Sequence, residues 1–247
     1  MVVKPAEDTP LTTLYLARMV KEIGFPDGVV NVVPGLGETT GAALSANPNV
    51  SRMSFTGSPE VGRLVAEACG RNLVPVKLEL GGKGAAVVFD DVDVPETAQK
   101  LVDAITFHTG QVCCDATRWL VQKPVYDDLV NEVSERMQKV VIGYPSDESS
   151  QMGPLVNETQ KARVLGYLEK GVGEGAEVVL AGGAAEVEGR AGGYYVKPAL
   201  LAGSLENVAA REEIFGPVAY LAPFEDEADG LAKANDTPYG LGNSVWS

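Results

Sequence analysis

Helix-period and strand-length apolar segments alternate at short intervals from Thr9 to Phe89. A chain that alternates so tightly has few ways to bury both kinds of element: the strands line up in parallel and the helices cross between them. Thr9-Pro10 places a capping hydroxyl before a proline at the first helical position. Leu16, Met19, Val20 and Ile23 follow at the i, i+3, i+4, i+7 spacing of one helix face, and Gly24 closes the helix. Gly28 to Pro34 is expected as a buried strand, Glu38 to Ala46 as a short helix and Val50 to Phe55 as the next strand. Ser58-Pro59 starts another helix, with Val61, Leu64, Val65 and Ala68 expected inward, and Val74 to Leu80 is a further strand. After Gly81-Gly82 come a strand from Ala85 to Phe89, a helix with Ala98, Leu101, Val102 and Ile105 inward, a strand near Trp119, and a helix through Leu129, Val130, Val133 and Met137.

The class implied is α/β, with a domain change at the Gly81-Gly82 pair that separates residues 1–80 from residues 81–247. Ala181 to Gly193 is a glycine-rich loop expected to be exposed, and no internal repeat is present. With 45% hydrophobic and 22% charged residues the chain has material for a large core. Its formal charge of -14 repels phosphate backbones and anionic lipid, so nucleic acid and membrane are poor partners. No apolar run approaches the roughly 20 residues of a membrane span, and Met1 to Glu7 lacks a signal-peptide core, so a cytoplasmic protein is expected. Cys69, Cys113 and Cys114 are an odd set with two members adjacent, which favours reduced thiols over a disulfide framework.

Three places carry possible chemistry. Phe55-Thr-Gly-Ser58 lies where a strand hands over to a helix, so the amides of Gly57, Ser58 and the first helical turn are placed to meet a phosphate; the same residues also make an ordinary tight turn. Glu79 ends an apolar strand just ahead of two glycines, where sheets open onto ligand crevices. Apolar surroundings there would suit it to general-base work, and pairing with Lys77 or Lys83 is the structural alternative. Cys113 and Cys114 precede a strand; on extended backbone their side chains point to opposite sides, so at most one faces a cleft. Taken singly, either cysteine also fits a buried core role. The one histidine, His108, and its neighbours are too few for a metal site.

Lys4-Pro-Ala-Glu-Asp-Thr-Pro10, Phe55-Thr-Gly-Ser58, Leu78-Glu-Leu-Gly-Gly-Lys83, Gly110-Gln-Val-Cys113 and Glu213-Ile-Phe-Gly-Pro217 occur in the order seen in the NAD(P)-dependent aldehyde dehydrogenase superfamily, which the chain resembles along essentially its whole length. The 34 positions between Glu79 and Cys113 (113 minus 79) fit that family, as do Gly153-Pro154, Gly193-Tyr194 with Pro198, and Asn235 with Tyr239-Gly240. The resemblance implies the C-terminal half of a Rossmann-like NAD-binding domain over 1–80, then an α/β catalytic thiol domain over 81–247. It implies Cys113 as nucleophile and Glu79 as the base that activates water, with Lys4 and Glu7 at the adenosine ribose, Gly57 and Ser58 at the phosphate-side turn, and Glu213 and Phe215 at the nicotinamide ribose. Gly37, Gly41, Phe55, Val61 and Leu80 complete the implied cofactor set. An aldehyde is the implied substrate and a carboxylic acid the product, by way of a cysteine thiohemiacetal and thioester. A carboxylate at the ribose favours NAD over NADP.

The family carries a long segment before the Lys-Pro-Ala-Glu motif, including an asparagine at the oxyanion, and further strands and a pairing tail after the position of Val245-Trp-Ser247. The expectation is therefore an internal fragment, C-terminally incomplete, with little turnover alone and without the elements through which full-length members homo-oligomerise. His108 stands where asparagine is usual and Gly84 where serine is common. Two other readings are a branch that passes the acyl group to coenzyme A, which the presence of Glu79 opposes, and a non-catalytic nucleotide-binding relic.

Overall fold

Parallel strands joined by crossing helices recur along the chain, as the alternation predicts, in a computed structural model that describes residues 1–247. The chain divides into two units, Met1–Leu80 and Gly81–Ser247. In the first, β1 (Val2–Val3) and β2 (Asn31–Val32) pair in parallel across helix α1 (Leu11–Glu22). A π-helical turn at Gly37–Gly41 runs into α2 (Ala42–Ser45). Then β3 (Met53–Thr56) and β4 (Val76–Glu79) pair in parallel across α3 (Pro59–Arg71). Met53, Val65, Cys69 and Val74 form the small core of this unit.

Three expectations need correction here, and α1 adds a further finding. Pro10, not Thr9, occupies the N-cap of α1, and no side chain caps the helix; the Thr9 amide is instead held in a turn by the Ala6 carbonyl. The apolar face of α1 is not inward: no residue of the helix is buried, and Leu16, Met19 and Ile23 are exposed. The strand expected from Gly28 to Pro34 shrinks to two residues, with Val29 and Val33 exposed, because β1 offers only two residues to pair with. In α3 the inward stripe is Gly62, Val65 and Cys69, while Val61 and Leu64 face out. A side chain on Gly62 would collide with Leu80, so Gly62 lets this helix approach closely while Val65 and Cys69 supply its apolar contacts.

The second unit is built on a six-stranded sheet. Its elements in chain order are β5 (Ala85–Val88), α4 (Val94–Thr106), β6 (Arg118–Gln122), α5 (Lys123–Gln138), α6 (Glu158–Gly173), β7 (Glu177–Leu180), β8 (Gly183–Ala184) and β9 (Val196–Lys197). There follow β10 (Ala199–Ala202), α7 (Val208–Arg211), β11 (Val218–Phe224), α8 (Glu227–Asn235) and β12 (Ser244–Trp246). The strand order is β12-β5-β6-β11-β10-β7, parallel except for β7 at the edge. The stretch expected as an exposed loop from Ala181 to Gly193 is in part structured: its Gly183–Ala184 segment is β8, antiparallel to β9, and Ala185 is buried.

Strands β5, β10, β11 and the Trp119–Val121 centre of β6 read as near-continuous apolar runs because both of their faces are covered, as a parallel sheet requires. Ala86, Val88, Trp119, Val121, Leu200, Ala219 and Leu221 share one core with the expected inward residues of α4 and with Leu129, Val133 and Met137 of α5. On the alternate positions, Ala85, Val87, Leu120, Ala222 and Phe224 form a second cluster. Val218, Tyr220 and Leu201 pack with Val164 and Tyr167 of α6 in a third. Each fully buried Leu or Val contributes about 1.5 to 3 kcal/mol to folding, so the period-two alternation is what locks the sheet's register.

Candidate active site

In the first unit, four residues of the implied cofactor set, among them Lys4 and Glu7 of the ribose assignment, meet around the Gly37–Gly41 turn. Glu7 Oε1 accepts from the Gly37 amide, and its other oxygen lies 3.4 Å from Lys4 Nζ. Lys4 Nζ also donates to the carbonyls of Pro5 at 2.7 Å and Gly35 at 3.1 Å. The lysine stem runs past Gly41, where an added Cβ would lie 3.5 Å from it. Hydrogen bonds from the Glu7 and Gly37 amides, and then the Lys4 charge, hold the Glu7 carboxyl below the usual range, so an ionised carboxylate is fixed beside a lysine at this turn.

At the β3–α3 handover, Ser58 is the N-cap that its place before Pro59 predicts, its Oγ accepting from the Val61 amide at 3.3 Å. Gly57 departs from expectation: its amide is not free for a phosphate but donates to the Glu79 carbonyl at 3.1 Å, continuing the β3–β4 ladder. Phe55 folds over this turn so closely that a side chain at 57 would strike its ring. Leu80 packs on Gly62 of α3. Glu79 is not in an apolar pocket; its side chain is 41% exposed and pairs with Lys77 at 3.0 Å, the structural alternative noted above.

In the second unit, α4 ends in a left-handed stretch. His108, Thr109 and Gly110 all have positive φ, at 51°, 60° and 67°. Two non-glycine residues in this region cost about 1 to 2 kcal/mol each, which the surroundings must offset. Thr109 Oγ1 donates to the Gly153 carbonyl at 3.1 Å, and Gly110 fits against the Gly216 backbone where any side chain would collide. Cys113 and Cys114 follow in a turn, not on extended backbone, with the Asp115 amide bonded to the Val112 carbonyl at 3.2 Å. The extended backbone behind the opposite-sides expectation is therefore absent, and the core alternative is excluded for both: Cys113 is partly exposed and Cys114 is exposed. Cys69 is the core cysteine, and burial pushes its thiol up. Gly82 closes over the Cys113 turn so tightly that a Cβ there would run into the Cys113 carbonyl.

Glu213 and Phe215 sit on one loop whose backbone is held by two α6 side chains that the sequence motifs did not single out. Gln160 Nε2 donates to the Ile214 carbonyl at 3.0 Å and the Phe215 carbonyl at 2.6 Å, and Arg163 Nη2 donates to the Glu213 carbonyl at 2.6 Å. Their i, i+3 spacing on α6 was the available signal. Phe215 takes φ 61°, and Glu213 turns its Oε1 to the Gly82 amide at 2.9 Å. The structure thus ties Glu213 to the glycine that backs Cys113. Lys83, the other partner considered for Glu79, does not pair with it: it is 1% exposed, and its Nζ, like Asp115 Oδ2, is buried with no hydrogen-bond partner.

The aldehyde dehydrogenase family model matches residues 1–247. Among curated relatives, cytosolic aldehyde dehydrogenase 1 of Rattus norvegicus is 43% identical over 251 aligned residues, covering 100% of this chain and 49% of the relative. The mitochondrial aldehyde dehydrogenase of Homo sapiens is 40% identical, covering 100% and 47%. The crystal structure of PnpE in complex with nicotinamide adenine dinucleotide superposes with a TM-score of 0.96 at 38% identity, over 100% of this chain and 50% of that one. The chain spans about half the length of the relatives it matches. No helix is long and apolar enough to cross a membrane.

Proposed function

The chain belongs to the aldehyde dehydrogenase family, and from that premise we propose that its protein oxidises an aldehyde to a carboxylic acid with NAD, using Cys113 as nucleophile. The observation that carries the assignment is the setting of Cys113: an accessible thiol in a turn braced by the left-handed His108–Gly110 stretch on one side and by Gly82 on the other. Stored backbone strain of this kind collects at functional sites. The Cys113 thiolate attacks the aldehyde carbon, a C–S bond forms, and the carbonyl oxygen takes up the charge of a thiohemiacetal. When bound, the nicotinamide supplies the acceptor for the hydride that leaves that carbon. The resulting thioester is hydrolysed by water whose proton passes to Glu79, and the carboxylic acid departs as the thiolate is restored.

The Lys4, Glu7 and Gly37 cluster fits the diol end of a dinucleotide, since a fixed carboxylate accepts hydrogen bonds from neutral hydroxyls. The same charge opposes a 2′-phosphate, which supports NAD over NADP. Glu213 and Phe215 are assigned to the nicotinamide ribose, on backbone that Gln160 and Arg163 hold in place.

Measuring aldehyde-dependent reduction of NAD in Cys113→Ser and Cys114→Ser variants tests the assignment. Turnover should fall by several orders of magnitude in the first and stay within a few-fold of the unaltered protein in the second. Retained turnover in Cys113→Ser, or its loss in Cys114→Ser alone, would contradict it.

A further inference from the structure

The bonds that shape the Cys113 turn pass Cys113 by. They run from the Gln111 amide to the His108 carbonyl at 3.2 Å and from the Asp115 amide to the Val112 carbonyl at 3.2 Å, and neither uses the amide or carbonyl of Cys113. What meets Cys113 comes from far along the chain. The Gly82 backbone lies on the Cys113 carbonyl, where a side chain at 82 would collide. The Gly82 amide donates in turn to Glu213 Oε1 at 2.9 Å, 131 positions away, and the same carboxylate covers Gly81, where a side chain would strike it. Further along the Glu213 loop, the Gly216 backbone fills the space beside Gly110, just ahead of the turn. One loop therefore reaches the Cys113 stretch at two points.

That loop is itself fixed to α6. Gln160 and Arg163 hold the carbonyls of Glu213, Ile214 and Phe215, and Gly216 seats on Val164 without room for a side chain. A bond from a backbone amide to a carboxylate is charge-assisted and roughly twice as strong as a neutral one. The Gly82–Glu213 bond is also partly buried, which limits competition from water. We propose that Glu213 is a positioning residue for the nucleophile: its carboxylate holds the Gly81–Gly82 backbone against the Cys113 carbonyl and so sets the turn before any cofactor arrives. The inference rests on the assignment of Cys113 as nucleophile, and it adds a second task to the cofactor contact assigned to Glu213. The two tasks fit one carboxylate, because the Gly82 amide engages Oε1 and leaves Oε2 for a ribose hydroxyl. Glutamine keeps an acceptor oxygen for the Gly82 amide, so it can stand in for the positioning task; alanine cannot.

The experiment follows the 247-residue chain without NAD, reading amide hydrogen exchange at Gln111 and Asp115 and iodoacetamide alkylation of Cys113 relative to Cys114. Glu213→Ala should speed exchange at both amides by about tenfold, the lower end of what one hydrogen bond to a charged group is worth. It should also bring the two alkylation rates toward equality, because a released turn exposes both sulfurs alike. Glu213→Gln should recover protection to within about threefold of the unaltered chain. Gly81→Ala should reproduce the alanine effect with Glu213 intact, since its methyl displaces the carboxylate. Amides of the β6–β11 pairing, remote from the loop in the ladder, serve as the fixed reference. Unchanged exchange at Gln111 and Asp115 in Glu213→Ala, or in Gly81→Ala should the first variant not fold, overturns the proposal, as does a loss that Glu213→Gln fails to recover. Equal alkylation of the two cysteines in the unaltered chain, with the exchange pattern as expected, would instead refute the nucleophile assignment and leave Glu213 as the anchor of the turn.

Discussion

Burying Lys83 with its ammonium unbonded lowers stability, and pH is where the loss shows. The folded chain holds this lysine at about 7 against an ordinary 10.5, so between these values the unfolded state binds more protons and stability falls as pH falls. Below about 7 the deficit is complete and flat. Asp115 acts in the opposite sense: raised from 3.8 to about 6, it removes stability as pH rises through that window. The two contributions leave a minimum between them. Urea midpoints of Lys83→Met should exceed those of the unaltered chain by an amount that grows from high pH down to about 7 and then stays constant; parallel curves across that range would refute it. Gly82→Ala should cost about 1 to 3 kcal/mol in a thermal melt, as overpacking does, because its methyl meets the Cys113 carbonyl. A melt within experimental error of the unaltered chain would show that the turn can move away.

Elements differ in how plainly their residues announce them. Helix α4 is the legible kind: Ala98, Leu101, Val102 and Ile105 follow the helical period and all four are buried. Asp93 caps it by accepting from the Glu96 amide at 2.9 Å, so Asp93→Ala should cost about 1 kcal/mol in denaturant unfolding. Helix α3 shows where periodicity misleads. Its apolar residues Val61 and Leu64 are exposed, and besides Val65 and Cys69 the helix packs through Gly62 against Leu80, a contact that hydropathy ranks low. Leu101→Ala should accordingly cost about 2 to 5 kcal/mol and Leu64→Ala less than about 0.5 kcal/mol; similar losses at the two sites would contradict the burial described. The Cys113 turn escaped the sequence reading because its conformation is set by Val112–Asp115 and Gly82 contacts rather than by residue preference. Lys83 escaped it because lysine ahead of an apolar strand reads as a solvated flank.

At the scale of the whole chain, the parallel order of β3–β4 and of β5, β6 and β11 follows from the alternation that the sequence displays, whereas the strand order of the six-stranded sheet depends on contacts between residues far apart in the chain. Sequence motifs named the residues now assigned to the reaction but not those that hold them, since Gln160 and Arg163 act on backbone carbonyls rather than on a ligand. The central claim is that Cys113 carries the acyl group and Glu79 releases it. Incubating the Glu79→Gln protein with NAD and a reactive aldehyde, then quenching in acid and mapping peptides by mass spectrometry, tests it most directly. The account predicts an acyl mass increment confined to Cys113 that accumulates in this variant and requires NAD; an increment on Cys114, or on no cysteine at all, would contradict it.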